Sequence, residues 1–448
     1  MITQEALDRL WDKVESQKAH IPDMYGAVDF SIVPERFTTD IAVETQLPAS
    51  HAALRPAILA NRDRVELIRG YSMMGDLVSD AYAALMPQYG FRRLVEMIGE
   101  ACDKGVEQVA DAPPELVAFI RDMERTPEWL DMELVEEGAR FDRNISANLS
   151  PFFIRGAFIA TFMNKYSALP MAITNTLSSD TAARRVKETA TFFWTSVLPG
   201  ALERFGPGFK AAAMVRLMHS MVRANVLRRP ADWDLRVYGV PIPQVDQMPA
   251  GLIPMVLMSA RVLASGRTEF TRRERARLEL ARYRCFLLGL PEDLLADTPR
   301  GIVDLMATRN ATLRQQFDDK TCGALLRATM DADIRAGGGL VENIHAFFER
   351  RISKTFFVRQ FMAGDRKRAA AIGVTLRGSD ALAAIVGQLF LGARVALYAL
   401  AGRVPGLRDY ADRRLTRRIE RRLARFGHAH FTTDEANYRR RPAPAPAE

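Results

Sequence analysis

The stretch that decides the fold is VRLMHSMVRANVL, Val215 to Leu227. Its apolar residues return every three to four positions, the period of an α-helix with a continuous apolar side. One imidazole, His219, sits among them, with Arg216 three residues before it and Arg223 four after. Val215 and Val222 complete the same side of the helix. A guanidinium among apolar neighbours needs an anionic partner. No carboxylate occurs between Lys210 and Pro230, so the anion must come from elsewhere.

Working outward, helical periodicity recurs over Ala52–Arg69, Tyr89–Ala110, Pro114–Glu124, Ala182–Leu198, Phe209–Leu227, Arg272–Leu288, Gly339–Phe361 and Ser379–Ala401. Pro199-Gly200, Pro207-Gly208 and Gly337-Gly338-Gly339 punctuate these segments. Alternating β-branched runs with hairpin turns are missing. The expectation is an all-α fold without a fixed repeat. Residues 1–60 read as an N-terminal helical segment packed on the core, 61–405 as one helical domain, and 406–438 as a basic amphipathic helix. A disordered tail occupies 439–448.

The 448 residues are 48% hydrophobic and 26% charged, which is ordinary globular composition. The formal charge of +8 does not signal nucleic acid, because only nine of the 62 basic residues are lysine and the arginines run along the whole chain. No basic stretch is interleaved with stacking aromatics, so a nucleic-acid partner is not expected. Cys102, Cys285 and Cys322 form no CxxC pair and read as reduced thiols. The opening MITQEALDRLWDKVESQ carries Glu5, Asp8 and Asp12 and is not a signal peptide. The expected location is therefore cytoplasmic.

Two C-terminal segments bear on membranes. Ala381–Leu400 is long enough to span a bilayer, but Gln388 and Arg394 interrupt it, so a buried helix is expected. The helix Arg413–Phe426 sets Leu415, Ile419, Leu423 and Phe426 on one stripe among arginines. It either lies on the inner face of an anionic membrane, giving a peripheral contact, or docks on the protein with its charges in water.

Phosphate-binding loops, nucleophile elbows and HExxH pairs are absent from the sequence. One ExxH, Glu342-Asn343-Ile344-His345, lacks the second that a di-iron bundle requires. Of six histidines, only His219 and His345 are embedded in apolar helices. His219 is either a satisfied core histidine or an iron ligand. In the second case haem would answer the arginines: imidazole on iron, valines over the macrocycle, Arg216 and Arg223 on the propionates. Upstream, RVKETATFFW puts Arg185 and Thr189 on one helical face beside Phe192, Phe193 and Trp194. That combination suits an oxygen or substrate pocket, or equally a surface patch backed by an aromatic core.

The order Arg185-x-x-x-Thr189, then RLMHSMVR from Arg216 to Arg223, then GVPIPQVDQ from Gly239 to Gln247 resembles the rubber oxygenase family. That family takes in latex-clearing proteins and the membrane-bound oxygenase of mycophenolic acid biosynthesis. The likeness runs from about Asn148 to Leu263. It implies a globin-like helical core holding haem b, with His219 as the proximal ligand and Val215 and Val222 on the cofactor. It further implies Arg185 and Thr189 near dioxygen, and Arg216 and Arg223 toward the propionates. Two departures stand out. Ala250 replaces a family threonine, and Leu169 stands where rubber-cleaving members carry an acidic base. The expected function is a haem-dependent oxygenase using dioxygen on an apolar isoprenoid or lipid-like substrate. The alternative is a non-catalytic haem protein that senses or carries oxygen.

Overall fold

The structure, a computed structural model, describes residues 2–173, 181–229, 231–335 and 337–426. His428, His430 and the expected tail at 439–448 lie outside the described residues. Among those described, every regular element is a helix, and β-pairing is limited to two isolated bridges, Phe37 with Leu313 and Thr45 with Arg314. The all-α expectation holds.

The helices that position the site are α1 (Gln4–His20), α2 (Leu77–Ala84), α3 (Pro114–Glu124), α4 (Ala182–Thr195), α5 (Pro207–Leu227) and α6 (Gln244–Ala264). They continue with α7 (Arg272–Leu287), α8 (Pro299–Thr312), α9 (Leu340–Phe361), α10 (Gly378–Ala401) and α11 (Leu407–Phe426). α5 starts two residues earlier than its periodicity suggests because Pro207 occupies the first turn, where its missing N–H costs nothing. The helix expected over Ala52–Arg69 is broken. Arg55–Leu59 ends, and the Asn61 side chain accepts from the Arg64 N–H to start a new helix at Arg62.

Where the sequence suggests one domain over 61–405, the chain divides into two compact units, each built from two stretches. The first joins Met1–Ala139 to Leu202–Gln316, and the second joins Arg140–Ala201 to Phe317–Glu448.

In the first unit α5 is a core helix buried on nearly every side, with Phe209, Leu217, Met221 and Val226 accompanied inside by Arg216, Ser220 and Arg223. It packs against α2 and α7, while α6 packs against α7 and α8. α6 contains Pro249 and Pro254. A proline inside a helix leaves the carbonyl four residues back without its donor. For Pro249 that carbonyl belongs to Val245, and Arg309 Nε of α8 donates to it at 2.6 Å. A side chain thus replaces the lost backbone bond and carries the helix through.

In the second unit one core gathers Ile159, Phe162, Leu326, Met330, Phe357 and Val358, and another joins α9 to α10 through Ile352, Ala384 and Leu391. α10 departs from expectation. It is not a buried helix: its inward face is confined to Asp380, Ala384, Gly387 and Leu391, while Leu389 is 70% and Phe390 65% exposed. Contact on one side suffices to hold it, because α9 covers only that side.

The stripe on α11 resolves the other way. Leu415 and Ile419 are buried, and the Phe426 ring lies 5.2 Å from that of Trp194 on α4. Asp412 anchors the same helix to buried Arg143 at 2.7 Å. The lipid contact considered for Arg413–Phe426 is therefore corrected. Leu415 and Ile419 face protein, while Arg413, Arg414, Arg417, Arg421 and Arg425 are left exposed together with Glu420 and Ala424.

Candidate functional site

His219 sits half-buried on α5, and its Nδ1 lies 3.0 Å from Oε1 of Gln247 on α6. The direction of that bond follows from what lies behind it. Gln244 Nε2 donates to the Gly75 carbonyl at 3.0 Å, and a carbonyl can only accept. Gln244 must then present its own oxygen to Gln247, whose Nε2 donates to it at 3.0 Å. That turns the Gln247 oxygen toward His219, so Nδ1 carries the proton. In a neutral imidazole that tautomer has its lone pair on Nε2. The relay reaches α1, since the Gly75 N–H donates to Gln17 Oε1 at 2.8 Å.

The two arginines flanking His219 find their anions inside the protein. Arg216 donates from Nε and Nη2 to Asp76 at 2.6 and 2.9 Å, and its Nη1 stands 2.7 Å from Asp122 on α3. Arg223 pairs through Nη1 with Asp80 on α2, and its Nε and Nη2 donate to the Pro241 and Ile242 carbonyls at 3.0 and 2.8 Å. Tyr25 donates to the other Asp80 oxygen at 2.5 Å. These are bidentate and forked contacts of the kind only a guanidinium makes. Arg216 and Arg223, expected to reach for haem propionates, here direct these groups to protein oxygens.

Burial opposes charge on Arg223, yet Asp80, Tyr25 and Asp76 more than offset it and its pKa is raised. Arg216 is raised for the same reason, with Asp76 and Asp122 outweighing burial. Asp122 is itself lowered, because Arg216 and Arg125 overcome the desolvation that would raise it. The cluster leaves no space. A Cβ on Gly75 would strike the Tyr25 hydroxyl, and one on Gly289, at φ +84°, would strike Asp76 and Arg216.

The GVPIPQVDQ segment is a hub for the same network. Gln244 and Gln247 orient the imidazole, and Asp246 pairs with buried Arg36 at 2.6 Å and stands 3.6 Å from Arg309. Val222 is buried beside His219 on α5 and Val215 is half-buried. Ala250, in place of the family threonine, is exposed on α6.

In the second unit, Arg185 and Thr189 lie half-buried on α4, as helical spacing implies. Arg185 Nη1 donates to Glu188 Oε2 at 2.7 Å, and Glu188, 2% exposed, also stands 3.4 Å from Arg184. Phe192 and Trp194 are buried, Phe193 half-buried, and Trp194 Nε1 donates to Ser150 Oγ at 3.0 Å. The ExxH pair is divided between arginines of α11. His345 Nε2 accepts from Arg422 at 3.2 Å, and Glu342 pairs with Arg425 at 3.1 Å. All three cysteines are buried and unbridged, and burial pushes the Cys102 and Cys285 thiols up to about 12.

With this geometry in view, residues 145–328 match the family model described as ER-bound oxygenase mpaB/B'/Rubber oxygenase, catalytic domain. The chain is similar to the rubber oxygenases. Among solved structures, "Structure of Latex Clearing Protein LCP in the closed state" aligns with a TM-score of 0.55 at 17% identity. The alignment covers 78% of this chain and 91% of that one, and it shows a shared fold. No curated protein sequence matches the chain. The rubber-oxygenase match takes in Arg185, Thr189, His219 and Gln247, so the resemblance read from the RxxxT, RLMHSMVR and PIPQVDQ motifs is borne out at the level of the superfamily.

The residues that sequence reasoning passed over are Gln244, Gln247, Asp76, Asp80 and Asp122. The two glutamines were visible inside a motif, but a motif gives no direction to a hydrogen bond. Asp76 and Asp80 lie 140 and 143 positions from their arginines.

Proposed function

We propose that this chain is a haem b-dependent oxygenase in which His219 Nε2 ligates the iron. The proposed reaction brings dioxygen to an apolar, isoprenoid or lipid-like substrate. The observation that carries the reading is the Nδ1–H donated to Gln247. Metal-binding histidines characteristically donate their other ring nitrogen, which holds one tautomer and one ring orientation. The donor set thus fits an imidazole that would hold iron, whereas Arg216 and Arg223 serve to clamp α5 to α2 and α3.

Haem would supply the binding and activation of dioxygen. The remaining roles belong to the chain. Val215 and Val222 present apolar surface beside the ligand. Arg185 and Thr189 offer hydrogen bonds to dioxygen, with Glu188 holding the guanidinium in place. The substrate class rests on the relatives' descriptions, which name a rubber oxygenase and a latex-clearing protein. Leu169 cannot act as a base, so rubber cleavage through that position is not part of the proposal. The three buried thiols suit a reducing, intracellular setting.

Leu169, together with the engagement of Arg185 by Glu188, favours one second reading: an oxygen-binding haem protein without turnover. Visible spectra of protein from haem-supplemented cells test both. Stoichiometric Soret absorbance is expected, and His219→Ala should abolish it while helical circular dichroism persists. Full absorbance in that variant would refute the ligand assignment. Oxygen consumption with isoprenoid or fatty substrates separates oxygenase from carrier.

A further inference from the structure

Among the described residues, the outward face of α10 in the second unit stands without a covering element. Leu382, Ile385, Leu389, Phe390, Leu397 and Leu400 are all exposed, at spacings that keep them on one side of the helix. From Leu382 to Leu400 the stripe runs about 27 Å at the helical rise. No charge interrupts it. Gln388 and Arg394, the two polar residues of the segment, are half-buried off the stripe. The first half of α9, packed against α10, adds Leu340, Val341, Ile344 and Phe347, also exposed. A soluble monomer rarely leaves so long an apolar row in water without a use for it.

The charges around the stripe identify the occupant. At its N-terminal end Arg350, Arg351, Lys354 and Arg377 line a cleft of about 340 Å³, with Asp380 its single carboxylate. That carboxylate is already engaged, standing 3.4 Å from Arg351. Exposed Arg403 follows the C-terminal end. An apolar row bracketed by cations matches the interface of an anionic bilayer, where acyl chains take the leucines and phosphates take the guanidiniums. It matches a second copy of the chain poorly. A two-fold contact sets the same patch against itself, so cation would face cation at both ends. A transmembrane pose fits no better, since the inward side of α10 is committed to Ile352 and Phe348 of α9, which touch the Cβ position of Gly387.

We infer that α10, with the first half of α9, is a membrane-docking face that lies flat in the interface of an anionic phospholipid bilayer. This stands independently of the reading of His219, since it uses no residue of that site.

The test floats the full chain with vesicles of phosphatidylcholine alone or mixed with phosphatidylglycerol, at low and high salt. Binding is expected to the anionic vesicles, weakened but not abolished by salt because the apolar term persists. Leu389→Glu with Phe390→Glu should lower it by about tenfold or more. Arg350→Glu with Lys354→Glu should remove the preference for anionic lipid. Leu389, Phe390 and Arg350 are exposed and Lys354 is half-buried at the cleft, so helical circular dichroism and melting temperature should stay at native values and report that folding is intact. Absence of native binding to anionic vesicles in low salt overturns the proposal, as does binding indifferent to the Leu389 and Phe390 changes. Sedimentation equilibrium supplies the remaining outcome. A dimer that the same pair of changes dissociates, without any vesicle binding, assigns the face to a second copy instead.

Discussion

His219 Nδ1 stands 3.0 Å from Gln247 Oε1, and the sense of that bond is decided two amides away by the carbonyl of Gly75. The orientation is imposed from α6 and from the turn before α2, two elements that the chain brings to α5 from either side in sequence.

Gln247→Leu should therefore free the imidazole to rotate and to exchange tautomers. Loss of such a supporting contact typically costs about ten- to a hundredfold in metal affinity. Titration of the apoprotein with haemin, followed in the Soret band, measures it. Gln244→Leu should act in the same direction but less, because His219 keeps Gln247. Native affinity in both variants would remove Gln247 from the site.

Asp80→Asn should destabilise the fold, since it leaves Arg223 charged and buried without its counter-ion. Breaking a buried pair from one side costs about 3–5 kcal/mol. Chemical denaturation should report that loss as a lower midpoint. Haem bound per folded molecule should stay at the native level, which distinguishes a structural clamp from a residue that holds the cofactor.

Arg185→Ala and Thr189→Ala should leave haem content unchanged and weaken the binding of dioxygen and of cyanide. One charge-assisted hydrogen bond is worth about 1.5–3 kcal/mol, or about ten- to a hundredfold. Glu188→Gln should move the same constants less, by loosening Arg185. Equal affinities across all three would show that α4 plays no part in ligand binding.

His345 gives the protein an acid-sensitive point. Burial, reinforced by neighbouring Arg422, lowers its pKa from 6.5 to about 4. The folded protein keeps the ring neutral down to that value, whereas the unfolded chain takes up a proton near 6.5. Between those limits the unfolded state binds more protons, so stability falls as pH is lowered through the window, by on the order of 1–3 kcal/mol. His345→Gln retains an acceptor for Arg422 and should flatten that part of the stability–pH profile. Denaturation midpoints at pH 7, 5 and 4 provide the check.

Much of this molecule was legible before folding was considered. Pro114–Glu124 reads as a helix from its apolar spacing and is one, residue for residue. Phe209–Leu227 reads as a helix too, with only Pro207 and Gly208 added ahead of it in α5, and helical spacing alone puts Arg185 and Thr189 on one face of α4. These are local properties: period, cap and proline act within a turn or two, and the chain carries them wherever it goes.

Whatever depended on a distant partner had to wait for the tertiary structure. The sequence around His219 established that two buried arginines lacked local anions, and stopped there. Only folding brings Asp76, Asp80 and Asp122 to them, satisfying the charges within the protein. The helix of α6 survives Pro249 because Arg309, from a helix 64 positions on, donates to the orphaned carbonyl. The C-terminal helices show the limit most sharply. Both α10 and α11 carry an apolar stripe, and periodicity cannot say which one meets protein. A stripe gains free energy from any apolar surface that excludes water. The body offers such a surface to α11 through Trp194, and offers α10 cover on one side only.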